Sequence, residues 1–216
     1  MKKLLIFILI GAIFAILGIL IFKGQVKKRE DSFPQTEIKM PNLSGKKAVM
    51  IVAFRDFRDA EYFVPKEILE KAGVEVKTAS NKKGVAIGAD GGDTQVDFLV
   101  SEIKVEDFDA IVFVGGPGCL NALDNEDSYR VAREAISKDK VLASICISPV
   151  ILAKAGVLKG KKATVWSDFS KTQIKILEKE GAIFENKPVV VDGGVVTANG
   201  PQAAEEFGFS ILELLK

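Results

Sequence analysis

Cys146 stands in the stretch Ala143-Ser144-Ile145-Cys146-Ile147-Ser148-Pro149, where an apolar run gives way to a proline that opens a helix. A thiol at a sharp strand-to-helix turn, with the small residues Ser144 and Ser148 two positions to either side, has the spacing of a nucleophile elbow, by analogy with G-x-S-x-G. At such a tip the following amide, that of Ile147, and the helix N-terminus would stabilise a thiolate or an oxyanion. By pattern alone an apolar-flanked cysteine reads first as core packing. Val114-Gly115-Gly116-Pro117-Gly118 ends another apolar run, and its glycines allow close backbone approach and a second amide donor. Glu61 opens a helical pattern four residues before Pro65 and by itself reads first as a solvated acid favourable to the helix dipole.

The absence of histidine narrows what these groups can do. Ser-His-Asp and Cys-His catalysis are impossible within the chain, and the commonest metal ligand is missing. Two cysteines, Cys119 and Cys146, cannot build a disulfide framework or complete a structural zinc site. Gly116-x-Gly118 is followed by Asn121 where a dinucleotide fingerprint needs glycine, and Gly156 to Lys162 lacks phosphate-loop spacing. No metal or organic cofactor is demanded. With 30 basic against 29 acidic residues, a binder of the nucleic-acid backbone is not expected.

The elements that must position these groups follow from hydropathy periods. Val49–Phe54, Ala110–Val114 and Val141–Ile145 are short apolar runs suited to strands covered on both faces. Helical spacing before Gly73, an extended run over Val74–Ala79, and helices near Ser128–Ser137, Val150–Ala155 and Lys171–Glu180 alternate with them. Gly84–Val100 reads as a hairpin excursion, Ala163–Trp166 as a strand, Val189–Val191 and Val195–Ala198 as a strand pair, and Pro201 as the start of a last helix. The expected fold class is α/β, with a mostly parallel central sheet, helices on both faces and an antiparallel edge. Ligands in such sheets collect beyond the carboxyl ends of the strands, where the Cys146 and Gly115–Gly118 turns both belong.

Ahead of this body, Leu4–Phe22 holds no charged or polar side chain and has the length of a membrane-spanning helix. It leads into Lys23, Gln25 and Lys27 rather than a small-x-small cleavage site, so residues 1–31 are expected to be an uncleaved single-pass anchor with a basic flank, spanning residues 4–22. Basic residues on both sides of the span leave open which side of the bilayer carries the body. Residues 32–46, with Pro34, Pro41 and Gly45, read as a linker, and residues 47–216 as the globular domain. Without residues 1–31 the acidic side chains slightly outnumber the basic ones.

Four stretches together resemble the DJ-1/PfpI superfamily: Arg58-Asp59-Ala60-Glu61-Tyr62-Phe63-Val64-Pro65, Phe113-Val114-Gly115-Gly116-Pro117-Gly118, Ala143-Ser144-Ile145-Cys146-Ile147-Ser148-Pro149 and Thr197-Ala198-Asn199-Gly200-Pro201. The resemblance spans about residues 47–216 and implies a flavodoxin-like sandwich that is usually dimeric. It implies an elbow cysteine at Cys146, a Glu61 carboxyl hydrogen-bonded to that thiol, and oxyanion donors at Gly116 and Ile147. Gly115, Cys119, Trp166, Gly200 and Pro201 are further candidates for pocket or redox roles. Cys119 reads either as a resolving thiol or as packing under the glycine turn.

Family members act on small carbonyls as glyoxalases or deglycases, or serve as peptidases, amidases, chaperones or oxidation sensors. This chain departs from them twice. Members resembling the peptidase branch carry histidine after the cysteine, where Ile147 stands here, and the histidine that others carry near Trp166 is absent. The expected chemistry is therefore thiolate attack on an electrophilic carbon, a hemithioacetal in the glyoxal case, with Glu61 shuttling a proton. The alternatives are a redox sensor without turnover, a tethered chaperone or binding module, and a peptidase or amidase.

Overall fold

A computed structural model describes residues 40–216. The expected membrane anchor, with its span over residues 4–22, and the first part of the expected linker lie outside the described residues. Among the described residues no helix is long and apolar enough to cross a membrane.

The chain runs through β1 (Lys47–Val52), β2 (Arg55–Phe57), α1 (Asp59–Lys71), β3 (Glu75–Ser80), β4 (Gly84–Gly88), β5 (Asp93–Val96), β6 (Phe98–Leu99) and β7 (Ala110–Phe113). It continues through α2 (Cys119–Leu123), α3 (Glu126–Ser137), β8 (Val141–Ile145), α4 (Pro149–Lys154), β9 (Lys162–Ala163), α5 (Thr172–Lys179), β10 (Ile183–Phe184), β11 (Val189–Asp192), β12 (Val195–Ala198) and α6 (Ala204–Leu215). Seven strands form the central sheet in the order β11-β12-β8-β7-β1-β3-β6, parallel throughout except for the antiparallel β11–β12 edge. Without the two outermost strands this is the flavodoxin-like order.

The two-residue period of β1 divides the core. Val49 and Ile51 face one layer with Ile111, Phe113, Val131, Ile151 and Leu177, and thus α3, α4 and α5. Met50 and Val52 face the other with Leu69, Val112, Phe207, Ile211 and Leu215, and thus α1 and α6. Both faces of the sheet are covered, which is why its strands read as continuous apolar runs rather than alternating ones.

Three local readings change in the structure. The end of the expected linker packs on the body, because Leu43 is buried against the α1–α6 face and its N–H donates to the Ala72 carbonyl at 2.7 Å. The strand expected over Ala163–Trp166 shrinks to β9, since Thr164 N–H turns to the Thr197 hydroxyl and Trp166 N–H to the Cys146 carbonyl instead of a ladder. β9 pairs only with β10. The helix expected from Ser128 starts two residues earlier, because Asn125 accepts the Ser128 N–H and caps it.

The glycine-rich excursion is the β4–β5 hairpin, and β4 also pairs in parallel with β2, a strand too short to show in the sequence. This small sheet sets a turn, residues 88–92, beside the start of α1. Asp59 accepts the N–H groups of Asp90 at 2.8 Å and Gly92 at 2.5 Å. At the switch point the chain leaves β1 toward β3 and leaves β7 toward β8, so their carboxyl ends open a crevice.

Candidate active site

Cys146 follows β8 directly and holds φ at 65°, the left-handed region that a non-glycine residue adopts only under constraint. The constraint is visible on both sides. Its N–H donates to the Ala198 carbonyl at the end of β12 (2.8 Å), and its carbonyl accepts from Trp166 N–H (2.8 Å). Ser148 closes the turn beneath it: its Oγ lies 2.7 Å from the Ile145 carbonyl oxygen and 2.9 Å from that of Phe113 on β7, and it accepts the Ile145 N–H at 3.1 Å. The small residues at 144 and 148 are thus the buried polar stitching of the elbow, not merely side chains small enough to fit.

The turn after β7 comes against this elbow. A Cβ on Gly115 would lie 2.6 Å from both Cys146 Cβ and Glu61 Oε2, and 2.8 Å from the Ile145 carbonyl oxygen. Glycine is the residue that lets thiol and carboxyl meet at one point. Gly116 holds φ at 112° with the backbone of residues 56–58 packed against it, so a side chain there would be both strained and obstructed. Gly115→Ala is expected to cost about 1–3 kcal/mol of stability through overpacking. Urea unfolding checks it, and an unchanged midpoint would show that the gap tolerates a methyl group.

Glu61 is fully buried, contrary to the solvated helix-start acid expected from its position alone. The reason is tertiary: α1 begins under the glycine turn after β7, with Arg58 N–H donating to the Gly115 carbonyl at 3.1 Å. Neither carboxyl oxygen makes a hydrogen bond of full geometry. Burial raises its pKa to about 7, against the lowering effects of the nearby Cys146 thiol, the Arg58 charge and the Gly115 amide. Burial also pushes the Cys146 thiol up to about 12, helped by the charge of Glu61 and opposed by the Gly116 and Ile147 amides at its sulfur.

These two ionisations belong to the pair. One proton leaves near pH 7 and the second is held far higher, so between them thiol and carboxyl share one proton and one negative charge. The form with the proton on Glu61 and the charge on sulfur is a nucleophile with its acid in place, facing two backbone donors.

A cavity of about 440 Å³ opens onto the pair, with Ile147, Trp166, Pro117 and Pro201 supplying most of its apolar wall. Gly116 also lines it, whereas Gly115 lies between thiol and carboxyl and Gly200 stands one residue before the lining Pro201. Tyr62 is buried core, bonded to Thr78 and Thr94, and does not reach the cavity. Cys119 is fully buried at the start of α2, packed beneath the glycine turn, and burial keeps its thiol well above the ordinary range. Arg58 and Gln202 line the cavity without having been singled out from the sequence. Arg58 could have been, as a cation three residues before Glu61 and just ahead of the helix. Gln202 carries no such signal.

The DJ-1/PfpI family model matches residues 46–214. An uncharacterized protein of Methanocaldococcus jannaschii is 40% identical over 82% of this chain and 86% of its own length. The protein named Deglycase PfpI of Pyrococcus furiosus is 33% identical over 78% of this chain and 99% of its own. Among solved structures, the ThiJ/PfpI domain protein from Brachyspira murdochii superposes with a TM-score of 0.74 at 34% identity, covering 79% of this chain and 98% of that one.

Proposed function

We propose, since the chain belongs to the DJ-1/PfpI family, that Cys146 and Glu61 form a site acting on small reactive carbonyls, 2-oxoaldehydes above all, in damage control. The observation that carries this reading is the thiol held at φ 65° against two amides, beside a buried carboxyl whose pKa lies at about 7. Sulfur attacks the aldehyde carbon, the C–S bond forms, the carbonyl pair moves to oxygen, and Glu61 gives that oxygen its proton. Glu61, now ionised, removes the proton from the sulfur-bearing carbon and returns it to the neighbouring carbon, while the hydroxyl proton on the first carbon passes to the oxygen on the second, leaving a thioester. Water hydrolyses it to a 2-hydroxy acid and the free thiol. With a free 2-oxoaldehyde no imidazole is needed, because no step then expels an amine that must be protonated. A cavity of about 440 Å³ suits a small substrate, and the name of the Pyrococcus furiosus relative supports the deglycase side of the reading.

The full chain, solubilised in detergent, should consume 2-oxoaldehydes and leave peptides and simple amides intact. Peptide cleavage without aldehyde consumption would replace this reading with the peptidase one. The composition of residues 4–22 supports a tether to the bilayer. The full chain should therefore stay with membranes washed in alkaline carbonate, and its release into the wash would remove the tether from the proposal.

A further inference from the structure

Arg58 is the cation among the described residues that line the cavity. Its Nη1–H groups lie 2.9 and 3.1 Å from the two carboxylate oxygens of Asp90, while Nη2 and Nε have no acceptor among the described residues. A guanidinium carries five donors, so most of its hydrogen-bonding capacity is unspent beside the reactive sulfur.

Holding the 88–92 turn does not require that ion pair. Asp59 binds the turn through the Asp90 and Gly92 amides, Gly88 N–H donates to the Gly92 carbonyl at 2.7 Å, and Ala89 N–H donates to the Phe57 carbonyl at 2.8 Å. The Asp90 side chain is 54% exposed, and exposed pairs of this kind contribute little to stability. What the pair does is orient the guanidinium on the cavity wall.

We propose that Arg58 reads an anionic group on the substrate, so that the site favours reactive carbonyls that carry a carboxylate. The shared negative charge of Cys146 and Glu61 would otherwise repel such a molecule, and Arg58 supplies the opposing charge through donors shaped for a carboxylate. For its substrate class the proposal rests on the reactive-carbonyl reading above.

The test separates the two. In the full chain, the rate of Cys146 alkylation by iodoacetate relative to iodoacetamide, followed by mass spectrometry and referred to N-acetylcysteine, reports anion recognition without any turnover. In each case the thiolate displaces iodide and only the charge of the reagent differs. Arg58→Met should lower this ratio about tenfold to a hundredfold, the range for a hydrogen bond to a charged group. Asp90→Asn should raise it, because the amide keeps an oxygen that accepts from Nη1 and orients the guanidinium while the competing negative charge is gone. A structural role for the pair predicts that the two substitutions shift the ratio the same way, and that result, or no shift with Arg58→Met, overturns the proposal.

The second arm compares 4,5-dioxopentanoate with methylglyoxal, two 2-oxoaldehydes that differ by a carboxylate-bearing arm. Wild type should show the higher kcat/KM for the former and Arg58→Met should lose that preference. Equal kcat/KM values in wild type also overturn the proposal while sparing the reactive-carbonyl reading. An intact alkylation ratio in a protein inert to both aldehydes removes that reading, and the substrate class with it.

Discussion

Cys146→Ser lowers kcat/KM for 2-oxoaldehydes by about 10⁴-fold or more, the scale on which removal of a nucleophile is felt. The substitution leaves the elbow's backbone restraints in place, because the bonds to Ala198 and Trp166 are made by the main chain of residue 146. Serine keeps the Cβ that packs against Gly115 and is slightly smaller than cysteine beyond it. What it loses is acidity. A carboxyl with a pKa of about 7 can share a proton with a thiol, but it is far too weak a base to ionise an alcohol, and the chain holds no histidine to help. Consumption of methylglyoxal by wild type and variant, with circular dichroism to confirm the fold, measures the effect. Undiminished turnover in the serine variant would remove Cys146 from the chemistry.

Glu61→Gln produces a second large loss, about 10²- to 10⁴-fold in kcat, by removing the proton donor and acceptor while keeping the shape of the side chain. Its pH signature distinguishes it from a packing defect. In wild type the rate rises as the pair loses its first proton, through about pH 7. In the variant that limb disappears, and the thiol, relieved of repulsion from the neighbouring carboxylate, titrates below the 12 it has in wild type.

The same shift makes a stability prediction with a definite sign. The folded-state pKa of Glu61 is raised above its ordinary value of 4.5 to about 7. Its contribution is therefore fully present below about pH 4.5 and is lost as the pH rises through 7, when an ionised carboxylate must be kept buried. The loss is on the order of 3 kcal/mol. Glu102, Asp109 and Glu185 are shifted the other way by their hydrogen bonds and lysine partners, against opposing burial. They act equally in both proteins and cancel in the comparison. Urea unfolding of wild type and Glu61→Gln from pH 5 to pH 8 should show the variant gaining on wild type as the pH rises. Parallel curves would mean that Glu61 is not protonated in the folded state at pH 5.

The absence of histidine, the turn signals around Cys146 and Gly115–Gly118, and the apolar runs over β1, β7 and β8 were open to reading in the residues themselves. Each depends on local chemistry: a side chain that is present or absent, a glycine spacing, a run of residues covered on both faces. They determined the α/β class, the strands that end at the site, and a thiol as the one strong nucleophile the chain could place there. Only tertiary structure decided the rest. Burial of Glu61, entrance of Arg58 and Gln202 into the cavity, sealing of Cys119 beneath the glycine turn and the docking of Leu43 all depend on which surfaces meet. A residue's own neighbours in the chain carry no record of desolvation. The charge state of a carboxyl is set by the segments that close over it, and here those include the ends of β7 and β8, which are distant from Glu61 in sequence and adjacent in the sheet.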